Sequence, residues 1–347
     1  MAQQQPRDPA RTPGVQSGSD PNRAAFIAAN CKAPAAAALP LPPGARPAAR
    51  GSGRGAVTPF DEPKSYSVAA IPGIIAGGQR WRMLWTDSGN NADSPIGVED
   101  GVYIAQNDKS QILKVGLNGV VTLIATETFT GGGLAMNSKG QLWSGQRALN
   151  KAVWQILPER KLGANTKDGQ SLECFTRNHI SDMNADSKGG VYFTMGGVHY
   201  LSPQGVVTGP HSSVPGNGVI LSRDEKTLYV TGNLPSSPGN VGVVALDVQP
   251  DGSLRNERQF VVIPTTEGTG DGLAVDADGR LYVTTAVDGV YVVSPDGKIL
   301  GNIPAPYGLI SVAFGGPNKR TMFGVAINEV HVMAIDMLAQ GFTGRPK

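Results

Sequence analysis

Six related segments recur along the chain, and this repetition restricts the possible folds more than any other feature. The clearest copy, GDGLAVDADGRLYVTTAVDGVYVVSPDGKILGNI from Gly270, reads as four short strands joined by DxDG and DG turns. Its relatives are GNGVILSRDEKTLYVTGN from Gly216, HISDMNADSKGGVYFTMGGVHYLSPQGVVTG from His179 and GGGLAMNSKGQLWSGQ from Gly131. Weaker copies begin at Asp93 and Ile310. Aligning the aromatic of each second strand gives Tyr103, Trp143, Tyr192, Tyr229, Tyr282 and Phe323, spaced by 40, 49, 37, 53 and 41 residues. Four strands per unit at a period of about 45 residues predicts an all-β, six-bladed β-propeller. A single twisted four-stranded sheet cannot bury both faces, whereas six packed radially cover one another.

The remaining composition agrees. Among 347 residues there are 46 Gly and 26 Pro, with only 17% charged and 6% aromatic, which favours short strands and turns over long charged helices. Residues 1–60 differ: they hold ten of the prolines and an APAAAALPLPPGARPAAR stretch, too little apolar surface to offset the cost of ordering them. They are expected to be a disordered tail or linker, with a short helical turn around Arg23 to Asn30 after Asp20-Pro21. The propeller is expected over 61–347, and KSYSVAAIPGII near residue 70 is expected to supply the strand that closes the last blade.

The tail carries seven Lys/Arg against two acids, leaving 23 against 26 in the rest, so the globular part is slightly acidic despite the net charge of +2. That argues against a nucleic-acid partner. No run of about 18 apolar residues is present to span a membrane. Cys31 and Cys174 match no metal-binding spacing; they either remain thiols or pair to pin the tail to the domain, the latter only in an oxidising compartment. The N-terminus lacks a signal-peptide core, yet a chain beginning Ala2-Gln3-Gln4-Gln5 after a start Met is compatible with a mature exported protein. A periplasmic or secreted location is the expectation, with the cytoplasm left open.

In a propeller the first strand of each blade lines the central channel, so one residue per blade converges near the axis. The repeat alignment places Asp93, Gly132, Ser181, Asn217, Asp271 and Ser311 there. Taken singly, Asn-Gly, Asp-Gly and Ser-Asp are ordinary turn chemistry. Taken as a ring, two carboxylates, a carboxamide and hydroxyls suit a hard cation such as Ca²⁺, with Zn, Mg or Mn as alternatives. Two facing carboxylates would otherwise raise each other's pKa.

At these residues the chain resembles the family of senescence marker protein, gluconolactonase and luciferin-regenerating enzyme, over roughly residues 80–335. The resemblance is carried by NNADSP, SDMNADSKGGVYFT, NGVILSRDEKTLYVTGN, GDGLAVDADGRLYVTT and ISVAFGG. It implies a six-bladed propeller with one axial divalent metal that hydrolyses a small lactone or ester. Asn217 and Asp271 match the family's metal ligands; Asp93 stands where the family has Glu, and Ser181 where it has the Asn of an Asn-Asp pair. The implied catalytic residue is Asp271, as ligand and general base. Asn90, Asn91 and Asn178 are near enough in sequence to compensate for Ser181. His179, two residues before it, would suit proton shuttling if its pKa is near neutral. Asn91, Asn178, His179 and Arg147 are the candidate substrate contacts, with Trp154 and Tyr307 on further entrance loops.

Serine-hydrolase elbows, nucleotide loops and HExxH are missing from the sequence. A second reading is a non-catalytic exported binding or scaffold propeller with a structural metal, which the Ser181 departure favours. Synthase or isomerase chemistry, as in propellers resembling strictosidine synthase, stands third. The fold alone does not choose among them.

Overall fold

A computed structural model describes residues 12, 14–32, 63–89, 92–234, 241–265, 270–326 and 330–347. Six four-stranded antiparallel sheets form the blades, each read outward from the axis. Their inner strands are Ala92–Val98, Gly133–Met136, Met183–Ala185, Val219–Leu221, Gly270–Val275 and Leu309–Gly315. All six aligned aromatics fall on second strands, as the repeat pattern predicts.

Apolar residues pack between blades rather than within one. One cluster joins Ile220 and Val243 of the fourth blade to Leu273, Val275, Leu281 and Val283 of the fifth; another joins Ala135, Trp143 and Val153 of the second to Met183, Val191 and Phe193 of the third. Each such fully buried aliphatic side chain contributes about 1.5–3 kcal/mol, so a blade gains its stability from its neighbours.

Ring closure differs from expectation. The strand that completes the sixth blade is Arg82–Asp87, paired antiparallel with Val330–Asp336 from Met83 opposite Met333 to Asp87 opposite Val330. KSYSVAAIPGII lies earlier and forms only an isolated Ile71–Ile75 bridge. Pro72-Gly73 turns the chain there, with Gly73 at φ +70°. Val68, Ile71, Ile74 and Ile75 instead plug into the cluster between the fifth and sixth blades.

Part of the N-terminal tail is folded onto the propeller. Ser17–Ser19 forms a short 3₁₀ turn and Arg23–Asn30 an α-helix, α1, over the stretch where the helical turn is expected. Cys31 and Cys174 are disulfide-bonded, with Cα atoms 5.5 Å apart. The pinning therefore holds for this segment, whereas the long Ala-Pro stretch lies outside the described residues. No described helix is long and apolar enough to cross a membrane.

Candidate active site

The ring residues are set by bonds between neighbouring blades. Thr194 donates through Oγ1 to the carbonyl of Asn217 at 2.7 Å, Thr231 to that of Asp271 at 2.8 Å, and Thr284 to that of Ile310 at 3.0 Å. Each threonine stands two residues after the aligned aromatic, so three consecutive blades use one device to hold the next blade's inner strand, at the ring residue itself for Asn217 and Asp271 and one residue before Ser311. The glycine after Asn217 has a related cause: a Cβ on Gly218 would collide with the Asp271 carbonyl. The Asn-Gly pair thus reflects close approach of two inner strands rather than a turn.

Ser181, Asn217 and Asp271 are half-buried and open to the channel, while Asp93 is buried. Ser181 Oγ donates to Asn217 Oδ1 at 2.5 Å. Burial holds the Asp271 carboxyl well above the usual carboxylate range, helped by the charges of Asp93 and Asp182; the Arg147 charge and the Asn217 amide oppose this without prevailing. Burial also raises Asp93, against the opposing effect of Arg147.

Arg147 lies on the connection between Gln146 and Ala152, within the expected entrance loops, but its side chain turns into the protein instead of toward substrate. Its side chain is only 4% exposed and enters the ring, donating to Asp93 Oδ2 at 2.6 Å, to the Ser181 carbonyl at 2.8 Å and to the Ile180 carbonyl at 2.7 Å. The guanidinium lies where a Cβ on Gly132 would be, which explains glycine at the second blade's ring position. Arg147 is therefore committed to the protein and braces the ring from the second blade.

Two functional candidates escape the sequence reading. Asp182 accepts from Ser94 Oγ at 3.1 Å and from the Val219 N–H at 3.1 Å, tying three blades together. Lys347 Nζ donates to Asp182 Oδ1 at 2.5 Å from a fully buried position. Its chain approaches along the far ends of the inner strands, where the Phe342 N–H meets the Val275 carbonyl and Arg345 meets that of Ser222. The Ser181-Asp182 pair, standing at the family's Asn-Asp position, was the available signal for Asp182; no local signal marks Lys347.

His179 is half-buried, and burial together with the nearby Arg147 and Lys151 charges pushes its imidazole down to about 3. It is neutral at physiological pH, contrary to the near-neutral titration expected for a shuttle. Asn178 is exposed, with its carboxamide against Gly196. Asn90 and Asn91 lie outside the described residues. Trp154 lies on the second blade's third strand, its indole N–H donating to Gln146 Oε1 at 3.0 Å, and Tyr307 packs at a tilt against His331 with ring centroids 4.3 Å apart.

Among the described residues no three His, Cys, Asp or Glu side chains form a metal-holding group. The donor chemistry nonetheless fits a hard cation at Asn217 and Asp271, with Ser181 beside them: these are amide, carboxylate and hydroxyl oxygens, and a positive charge would offset the burial and the neighbouring carboxylates that raise Asp271. Asp93 fits less directly, because Oδ1 takes the Ser94 N–H at 2.8 Å and Oδ2 takes Arg147.

Fold and ring together define a six-bladed propeller with a polar, carboxylate-bearing axial site. Residues 170–327 match the family described as the SMP-30/Gluconolactonase/LRE-like region, so the resemblance read from the motifs is borne out over that span. It contains Ser181, Asn217 and Asp271, while Asp93 and Arg147 lie before it. A gluconolactonase of Zymomonas mobilis is 29% identical over 228 residues, 58% of this chain and 62% of that protein. Lactonase drp35 of Staphylococcus aureus is 31% identical over 177 residues, 45% of this chain and 51% of that one. The chain thus spans between half and two thirds of these relatives. Among solved structures, a Xanthomonas campestris gluconolactonase superposes with a TM-score of 0.65 at 21% identity, covering 84% of this chain and 100% of that one. The calcium-binding regucalcin of Agrobacterium tumefaciens gives 0.61 at 16% identity, covering 75% and 94%. At these identities the superpositions speak for the fold.

Proposed function

We propose that the protein hydrolyses a small lactone or ester with the help of a divalent cation, calcium or else Zn, Mg or Mn, held by Asp93, Ser181, Asn217 and Asp271. The observation that carries this reading is Asp271: a carboxyl open to the channel, anchored through its own carbonyl by Thr231 and pushed toward its neutral form by its surroundings. The gluconolactonase and lactonase names of the relatives support the substrate class. When bound, the cation would polarise the carbonyl and stabilise the oxyanion.

The chain's own groups do the rest. Asp271, ionised beside a cation, accepts the proton of the attacking water at its carboxylate. Arg147 holds Asp93 and the carbonyls of Ile180 and Ser181, so the donors keep their spacing as substrate enters. His179, neutral and above Ser181, offers a ring nitrogen to a substrate hydroxyl, with Asn178 and Asn91 as further contacts. The Cys31–Cys174 bond supports an oxidising, periplasmic or secreted, location.

Hydrolysis of a panel of aldonolactones and aryl esters, with and without chelator, tests the proposal. Chelator-sensitive turnover of at least one member is expected. The second reading, a binding propeller with a structural metal, is favoured by the Arg147–Asp93 pair, which occupies one of the expected ligands. Absence of turnover on every substrate, with the cation still bound, would establish that reading instead.

A further inference from the structure

The docked N-terminal segment makes more polar contacts with the channel mouth than a tether needs. Ser17 donates its backbone N–H to the carbonyl of Arg147 at 2.8 Å. Glu173, fully buried, accepts on Oε1 from Ser17 Oγ at 2.5 Å, from Arg23 Nε at 2.8 Å and from Lys151 Nζ at 3.2 Å. Lys151 Nζ also donates to the Thr176 carbonyl at 2.7 Å, and Arg23 reaches that same oxygen at 3.4 Å. Residues 147–151 are buried as a consequence, although they form a connection between two strands on the face where the ring opens. Such a connection is ordinarily solvent-facing. Cys31–Cys174 closes the segment onto Glu173 by joining the end of α1 to the neighbouring residue of the hub.

We propose that this disulfide-closed strap is a positioning element of the ring: it holds the Arg147 backbone through Ser17 and the adjoining loop through Glu173, so that the guanidinium stays on Asp93. Reduction by a dithiol supplies two electrons and two protons, converts Cys31 and Cys174 to thiols and leaves the reductant as its own disulfide. Without the cross-link, the strap is held only by its non-covalent contacts and opens locally while the blades, which bury their own clusters, remain folded. The loop 147–151 is then exposed and Arg147 loses its backbone anchor. The catalytic consequence rests on the hydrolase reading above; the structural one does not.

Hydrogen exchange followed by mass spectrometry tests the structural claim on the full chain, oxidised, reduced and as Cys31→Ser/Cys174→Ser. Exchange in a peptide spanning 145–152 is expected to rise at least tenfold on reduction, while one spanning 281–293 in the fifth blade is unchanged. Ser17→Pro provides a route that spares the cysteines: residue 17 opens a helical turn after an extended Gln16 (ψ 147°), so proline fits and removes the N–H with the hydroxyl, whereas Ser17→Ala removes the hydroxyl alone. Proline should reproduce the exposure of 145–152 more strongly than alanine. In lactone assays, kcat should fall at least fivefold on reduction with KM within twofold, since the ring's Arg147–Asp93 contact is disturbed and no substrate-contact side chain is removed. Unchanged exchange at 145–152 overturns the proposal, and so does raised exchange with unaltered kcat. If the oxidised protein hydrolyses no lactone or ester, the hydrolase reading fails separately and the exchange result decides this inference alone.

Discussion

Arg147 and Asp93 form a buried ion pair between adjacent blades, 2.6 Å from Nη2 to Oδ2, at the end of the inner strands where the ring opens. The pair gives the ring an internal cation on one side, while Lys347 supplies a second from the opposite end through Asp182. Asp271 has neither as a direct ion-pair partner, which is why it is the carboxyl pushed furthest toward its neutral form and the one best placed to respond to an added cation or substrate.

Truncating Arg147 leaves a buried carboxylate without its partner. Arg147→Ala should destabilise the protein by about 3–5 kcal/mol, the usual result of breaking a buried pair from one side. Arg147→Lys should recover only part, because a single ammonium cannot serve Asp93 and two carbonyls in the geometry of a fork. Urea unfolding of the three proteins measures both effects.

Thr231→Val keeps the shape of the side chain and removes two bonds, the donation to the Asp271 carbonyl at 2.8 Å and the acceptance from the Gly218 N–H at 2.8 Å. Thr231 is fully buried, so the loss should cost about 1–3 kcal/mol in stability. Lactone hydrolysis should fall with it, mainly in kcat, because Asp271 moves relative to Asn217. Equal kcat in the folded variant would show that the threonine link is structural only.

His199 gives the fold a pH limit away from the ring. It is buried against Phe193, with ring centroids 5.3 Å apart, and burial lowers its pKa to about 4 from an ordinary value of 6.5. Between those values the unfolded chain binds the proton more readily than the native one, so the associated stability is complete above about 6.5 and is lost as pH falls toward 4. The loss approaches about 3 kcal/mol at the acid end. His199→Phe should flatten the acid limb of a stability-against-pH curve between pH 7 and 4.5. An unchanged acid limb would contradict this assignment.

The architecture was legible because propeller blades repeat, and the aromatic at each second strand marks the register whatever the loop lengths. The ring residues followed from that register, and Ser181, Asn217 and Asp271 do meet around the channel. What the alignment did not reveal lies outside the repeat. Arg147 follows a second strand in only one blade, Lys347 reaches Asp182 across 165 positions of sequence, and the strap's contacts join residues 17 and 23 to residue 173. Long-range polar contacts of this kind leave no local periodicity. The threonines two residues after the aromatics did carry a readable signal, Tyr-x-Thr in three successive blades, whose role becomes evident only when the next blade's carbonyl is in place. The closing strand was misplaced because apolar KSYSVAAIPGII looks more strand-like than RMLWTD, yet Pro72-Gly73 breaks it.

In the hydrolysis proposed above, Asp271 performs the proton transfer at the channel axis. Asp271→Asn retains the size and one oxygen ligand while removing the base, so the direct measurement is lactone hydrolysis by this variant alongside calcium titration calorimetry. Calcium binding should be preserved within about tenfold and turnover reduced by at least about a hundredfold, in line with the contribution of a positioned general base. Wild-type turnover by Asp271→Asn with the cation bound would contradict that role.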